Sequence, residues 1–437
     1  MPPTKQLARE IFRHTLSSID IPSVMERKLR QEGTRFLLPD VSVDVARISR
    51  VVVIGIGKAA HVMVTGLVSL LPSATPLEGV VSAPTEPTAP VAGLHYFRSG
   101  HPIPNKESMG AAVEILRLLR TCDQHTLVFF LLSGGGSALV ELPLDPSLHL
   151  KDVQEIHRTL VTCGAPIDAM NTVRRHLSAV KGGRLALAAG AAQKITLAVT
   201  DVPSGKEAAL ASGPSLPDPT TIDDVCRVFA EYNLLKRFPL ALQHWLNAGQ
   251  MPESPKPGHS AFSNAHFVLL LGMEDLFHAA HHAVEAHGYL SCCDNSTDDW
   301  PVEKAADKLL TQLEAWQREN PGRRVAMIAD GELSSPVTGN GVGGRNSAFV
   351  LACVEKIARR KITVLSAGTD GIDGNSPAAG AVADGDTLAR ANSLGLDPRA
   401  AFRQSDAYSF FSKLDDTVVT GPTGNNLRDL RIMLAEP

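Results

Sequence analysis

Aromatic residues are scarce. They make up 5% of the 437 residues, with three tryptophans, too few for the stacked-ring platforms that hold single-stranded nucleic acid. Neither sign of charge dominates. The formal net charge is −4, which speaks against a polycationic nucleic-acid binder. No uncharged stretch reaches the length of a membrane span. Residues 1–20, MPPTKQLAREIFRHTLSSID, mix charges with apolar residues at helical spacing and lack the apolar core of a secretory signal. A cytoplasmic protein is expected. The six cysteines form no C-x-x-C pair, so buried thiols are expected rather than structural zinc or a disulfide framework. The chain also lacks G-x-x-x-x-G-K-[ST], H-R-D with D-F-G, and H-E-x-x-H. Those gaps exclude a Walker-type NTPase, a protein kinase and a zincin. His278, His281, His282 and His287 then read as a solvent-facing group.

Apolar runs do occur, and they alternate with helical patterns. Strands are expected at 51–55, 80–83, 126–132, 194–199, 265–271, 324–329, 362–367 and 416–420. Helices are expected at 106–121, 169–189, 274–286, 302–317 and 346–358. This alternation predicts an α/β protein with parallel strands and covering helices. The Pro-rich stretch GQMPESPKPGHS (249–260) reads as a linker. It separates a domain of residues 1–248 from a smaller one of 261–437.

Five glycine-rich turns carry charged or hydroxyl side chains: GIGKAA (55–60), SGGGSA (133–138), TDVPSG (200–205), NGVGGRN (340–346) and AGTDGIDG (367–374). Loops leaving buried strands are where an α/β sheet holds its ligands, and glycine lets amide groups approach an anion. VVVIGIGKAA matches the dinucleotide pattern G-x-G-x-x-A through Gly55 and Gly57. The next strand, ending VVSAP, lacks the ribose-binding acid. Lys58 stands instead at a helix start and reads as a phosphate-neutralising cation. Ser133, Gly134, Gly135, Gly136 and Ser137 read as an amide nest for a carboxylate or phosphate. A serine nucleophile is disfavoured because the single serine of G-x-S-x-G is missing.

MNTVRRHLSAVKGGRLA (170–186) reads as one helix, with Asn171, Arg174, Ser178 and Lys181 on one stripe. That stripe could face an anion or be a solvated basic face. Asp201, at a strand end, suits a metal ligand or a base for a substrate hydroxyl. Arg345 precedes a helix and could clamp phosphate. Glu332, Asp370 and Asp373 could sit near magnesium and phosphates, or be turn formers.

Together the segments resemble the type-2 glycerate kinase family, whose C-terminal half carries the MOFRL domain. The resemblance rests on GIGKAA, GHPIP (100–104), LLSGGGSAL (131–139), NTVRRHLSAVKGGRLA, TDVPSG, ASGPSLPDPTT (211–221), NGVGGRN, AGTDGIDG, AAGAVAD (378–384) and TGPTGNNLRDL (420–430). They follow the family's order over residues 55–430. The resemblance implies two α/β domains with mostly parallel sheets, the first Rossmann-like, and an active site in the cleft between them. It implies transfer from ATP, with Mg²⁺, to D-glycerate, giving 2-phosphoglycerate.

The matching positions imply Lys58, Asp201 and Arg345 as the catalytic trio. Substrate contacts would come from Ser133 to Ser137, Asn171, Arg174 and Lys181. Nucleotide contacts would come from Gly55, Gly57, Glu332, Gly343, Gly344, Asn346, Thr369, Asp370 and Asp373, and metal ligands from Asp201, Glu332 and Asp370. The chain departs from the family at Ser204–Lys206, at DGELSSP (330–336) and at Val342. An NAD(P)H-linked hydroxypyruvate reductase is the rival reading, and a small-acid or nucleotide sensor the second. Neither nucleic acid nor membrane is expected as a partner, and a homodimer stays open.

Overall fold

A computed structural model describes residues 4–39, 42–72, 75–200, 202 and 205–437. The chain forms two compact units, one of Ile21–Gly272 and one of Met1–Asp20 with Met273–Pro437. No helix among the described residues is long and apolar enough to cross a membrane.

The first unit opens with a small antiparallel sheet of β1 (Arg30–Glu32), β2 (Arg35–Leu37) and β3 (Ser42–Asp44). Its main sheet contains β4 (Arg50–Ile56), β5 (Leu77–Ala83), β6 (Leu94–Arg98), β7 (Thr126–Leu132), β8 (Gln193–Val199) and β9 (Ala265–Leu271). Every pairing is parallel, in the order β6-β5-β4-β7-β8-β9. All seven residues of β7 are buried, as expected of a strand covered on both faces. Val52, Ile54, Val128 and Phe130 pack with Ile115 and Leu119 of helix Lys106–Leu119. The strand order reverses direction between β4 and β7. A crevice therefore opens beyond their carboxyl ends, where GIGKAA and SGGGSA leave the sheet.

The second unit holds β10 (Leu290–Cys293), β11 (Val325–Asp330), β12 (Ile362–Gly368), β13 (Gly380–Asp384), β14 (Thr417–Val418) and β15 (Asp429–Ala435). The order is β10-β11-β15-β12-β13-β14. Only β10 and β11 run parallel, and the other four pairings are antiparallel. The expected mostly parallel sheet is thus corrected here to a mixed one. Strand β15, unread in the sequence, inserts antiparallel between β11 and β12 with all seven residues buried. Its Arg431 disguised it. That guanidinium is buried, with Nη2 donating to the carbonyl oxygens of Asp330 and Gly331, and lies 5.7 Å from the Phe349 ring.

The division of the chain also differs from the expectation at 249–260. Helix Thr4–Ser18 joins the second unit, where Thr363 Oγ1 donates to Thr4 Oγ1 at 2.7 Å. Residues 249–260 belong to the first unit. Within them, Ser254 Oγ donates to Asp218 at 2.8 Å and Glu253 meets His176 at 3.1 Å. The segment is an ordered strap, because Glu253 and Ser254 meet the buried His176 and Asp218.

Candidate active site

The two turns at the β4–β7 crevice are stapled together. The Ser133 amide donates to Ile56 O at 3.0 Å, and the Lys58 amide donates to Gly134 O at 3.0 Å. Ser133 is buried, and its Oγ accepts from the Ala59 amide at 3.0 Å. This serine locks the turns, and at 1% exposure it lies out of a ligand's reach. Gly57 has φ +136°, and a Cβ there would stand 2.1 Å from Ser133 Oγ. Gly57→Ala is expected to destabilise the first unit by about 1–3 kcal/mol and to lower activity by displacing Lys58. Thermal denaturation and a turnover assay of the variant check this.

Lys58 is exposed, and its ammonium makes no ion pair among the described residues. A Cβ on Gly135 would meet His101 Cδ2 at 3.0 Å and Lys58 Cγ at 3.5 Å, so both side chains flank that glycine. Burial, then the Lys58 ammonium, lower the pKa of His101. The ring is neutral near pH 7.

Beyond the turn lies a cavity of ≈ 480 Å³. A polar chain runs along it. Ser137 Oγ and Ser212 Oγ lie 2.8 Å apart, Ser212 Oγ donates to Asn171 Oδ1 at 3.1 Å, and Arg174 Nη1 donates to the same oxygen at 3.2 Å. The half-buried Arg174 lines the cavity. Its Nε is buried without a hydrogen-bond partner, and it forms no ion pair with any described carboxylate. Burial lowers its pKa, yet guanidinium stays charged at neutral pH. A half-buried guanidinium with no carboxylate partner among the described residues is suited to an anion.

Lys181 plays another part than the expected one. Helix Ile167–Leu177 ends where Ala179 N donates to Leu142 O at 2.7 Å, and Gly182 and Gly183 take φ +56° and +82°. The supposed stripe is therefore broken. Lys181 is 1% exposed and donates to Glu141 Oε2 at 2.5 Å and to Val140 O at 3.1 Å. Glu141 also meets His157 Nε2 at 3.0 Å. Despite its burial, the neighbouring Lys181 ammonium, then His157, hold the Glu141 carboxyl far below the usual carboxylate range. Burial lowers the pKa of His157, so this cavity-lining ring is neutral near pH 7.

Sequence reasoning missed His157, because nothing in its local pattern marks a partner 16 residues upstream. It also missed Asp168 and Lys206, which pair across the cavity mouth at 2.6 Å. The GHPIP loop was the available signal for His101. Asp201 lies outside the described residues.

In the second unit, Arg345 begins helix Arg345–Val354. Nη1 donates to Glu332 at 2.8 Å and Nε to Asp429 at 2.5 Å, and these carboxylates raise its pKa against the effect of burial. Four expected nucleotide contacts are otherwise engaged. Asp373 accepts from the amides of Asn346 and Ser347 at 2.9 Å and from Ser347 Oγ at 2.5 Å. It caps the helix and fills the place a phosphate would take. Asn346 Oδ1 accepts from Ser366 Oγ at 2.6 Å. Thr369 Oγ1 is bonded to Arg428 O and to Leu427 N at 2.7 and 2.9 Å. Gly55 lies inside β4 against Val81.

Gly343 donates to Asn375 Oδ1 at 2.8 Å, and a Cβ on Gly344 would strike Asp373. Asp370 accepts from Ile372 N at 3.0 Å in a turn. No group of three or more metal-ligating side chains exists among the described residues. Magnesium in nucleotide enzymes needs only one or two carboxylates beside substrate phosphates. Half-exposed Glu332 fits that requirement, as does Asp370. Asp373, consumed as a cap, does not.

A family described as a domain of unknown function, DUF4147, matches residues 7–247, and the MOFRL family matches residues 325–429. The chain is 30% identical over 433 residues to a D-glycerate 2-kinase of Thermotoga maritima, which covers 98% of each chain. An Agrobacterium vitis protein bearing the name hydroxypyruvate reductase is 35% identical over 391 residues, 88% of this chain and 99% of that one. The crystal structure of a Thermotoga maritima glycerate kinase matches with a TM-score of 0.85 at 29% identity, over 99% of both chains.

Proposed function

The chain belongs to the type-2 glycerate kinase family and is a phosphotransferase with an alcohol acceptor, and on that premise we propose that it phosphorylates D-glycerate at the 2-hydroxyl from ATP. The observation that carries the reading is Arg174. D-Glycerate, a 2,3-dihydroxy acid, brings one carboxylate and two hydroxyls. The cavity supplies one guanidinium without a carboxylate partner among the described residues, with Asn171 and Ser137 on the same wall. The chemistry of the two sets is complementary.

The amides of Gly134 to Gly136 and the Arg174 guanidinium hold the glycerate carboxylate. Lys58, beside the same turn, neutralises the moving phosphoryl group, since phosphoryl transfer needs alignment and charge stabilisation more than covalent help. Asp201 orients the acceptor hydroxyl and takes its proton. In the second unit Arg345 meets nucleotide phosphate, and its present partner Glu332 would hold magnesium. When bound, magnesium would supply positive charge that offsets the charge on the nucleotide phosphates.

Arg174→Ala is expected to raise the KM for glycerate with little change in the KM for ATP. Truncating one side of a desolvated charge pair costs about 2–5 kcal/mol, roughly 30-fold to several thousand-fold. Steady-state kinetics with each substrate varied in turn measures this, and an equal rise in both constants would remove Arg174 from the acid subsite.

The reading as a whole is tested by ADP release over a panel of short hydroxy acids, with the phosphorylated position assigned by phosphorus NMR. NADH oxidation with hydroxypyruvate is the contrary result. The names of the Agrobacterium vitis relatives favour that rival, while VVSAP at the end of β5 has no acid for a dinucleotide ribose.

A further inference from the structure

The second unit contains a cavity of ≈ 300 Å³, at the lower end of the range for small-molecule sites, about 300–1,000 Å³. It lies beyond the carboxyl ends of β10 and β11, the one parallel pair of that sheet. Crevices at that end of parallel strands are where α/β sheets receive ligands. Helix Val302–Glu319, following β10, contributes Val302. The loop following β11 contributes Ser334–Thr338. Helix Arg345–Val354 contributes Ala348 and Leu351, and Phe402 closes one side.

The lining chemistry selects against an anion. Glu303 is its single charged residue, and a carboxylate repels phosphate. The walls are aliphatic or aromatic, and Val337 at the rim is 82% exposed. Ser335 and Val337 also line the cavity, and among the described residues their amides donate to no protein acceptor. Apolar faces with unfilled backbone donors at the edge suit a flat, neutral heterocycle whose ring nitrogens accept hydrogen bonds. Gly343 and Gly344 line the same cavity and lead directly into Arg345. A ligand seated here would therefore have its polar continuation close to the phosphate-directed cation.

We infer that this cavity receives the purine base of the nucleoside triphosphate. The inference rests on the kinase reading and deepens it by naming the base subsite. Leu351 and Phe402 contact the ring faces, and the Ser335–Val337 backbone meets its edge.

Two variants of the full chain test it. Ala348→Phe fills the cavity from a partly exposed helix position. Val337→Asp places a charge at the rim, where an 82% exposed side chain contributes little to folding. Each is expected to raise the KM for ATP at least tenfold and to weaken ADP binding in a calorimetric titration by the same factor, with the KM for glycerate unchanged. If Val337→Asp and a folded Ala348→Phe both keep the wild-type KM for ATP, the base does not sit here, while the kinase reading stands. If Ala348→Phe does not fold, Val337→Asp alone decides. Absence of ATP-dependent turnover in the wild-type chain would overturn both.

Discussion

Lys58→Ala is expected to lower turnover of ATP and D-glycerate by about 10³-fold or more without unfolding the protein. Cations that meet the transferring phosphoryl group in related chemistry are worth about 10³–10⁵. Lys58 stands at the turn before helix Ala60–Leu70, so the backbone dipole and the ammonium act on the same anion. The side chain is exposed and forms no ion pair among the described residues, so its removal costs the fold little. Lys58→Arg is expected to recover only part of the rate, because the guanidinium is a planar fork where the ammonium is a compact charge. Stopped-assay turnover beside an unchanged melting curve checks the prediction. Near-wild-type turnover of the alanine variant would take Lys58 out of the reaction.

The second large effect concerns stability. Lys181→Met should destabilise the Ile21–Gly272 unit by about 3–5 kcal/mol, because Glu141 would be left buried without its cation. Glu141→Gln combined with Lys181→Met should recover most of that loss, since both charges are then gone. Urea denaturation followed by a probe in the first unit distinguishes the two. If the double variant is as unstable as the single one, the ion pair is not the cause. The pH dependence follows from the depressed carboxyl of Glu141. Its folded pKa is below its unfolded one, so the contribution is present above the ordinary carboxylate value. It is lost as pH falls through the depressed value.

Local chemistry explains which elements were legible. Strands β4 and β7 are apolar runs that lead into glycine-rich turns, which is how doubly covered parallel strands read. Lys58 and the glycine-rich turn 133–138 stand out in the sequence because each sits on the exit of such a run. Lys181 was misassigned because spacing along an assumed helix says nothing about Gly182 and Gly183 ending it. Asp373 was misassigned for a similar reason. An aspartate in a glycine-rich turn reads the same whether it faces solvent or caps a helix 27 residues earlier in the chain.

The order of residues by itself determined the α/β class, the parallel sheet of the first unit and the glycine-rich turns at its strand ends, because these follow from short-range periodicity and backbone freedom. Only the tertiary structure decided which cations remain available. Glu141 removed Lys181, Glu332 and Asp429 engaged Arg345, and Arg174 stayed without a described carboxylate partner. Ion pairing is set by distances of a few ångströms between residues far apart in the chain, and Coulomb attraction falls off in space rather than along the sequence.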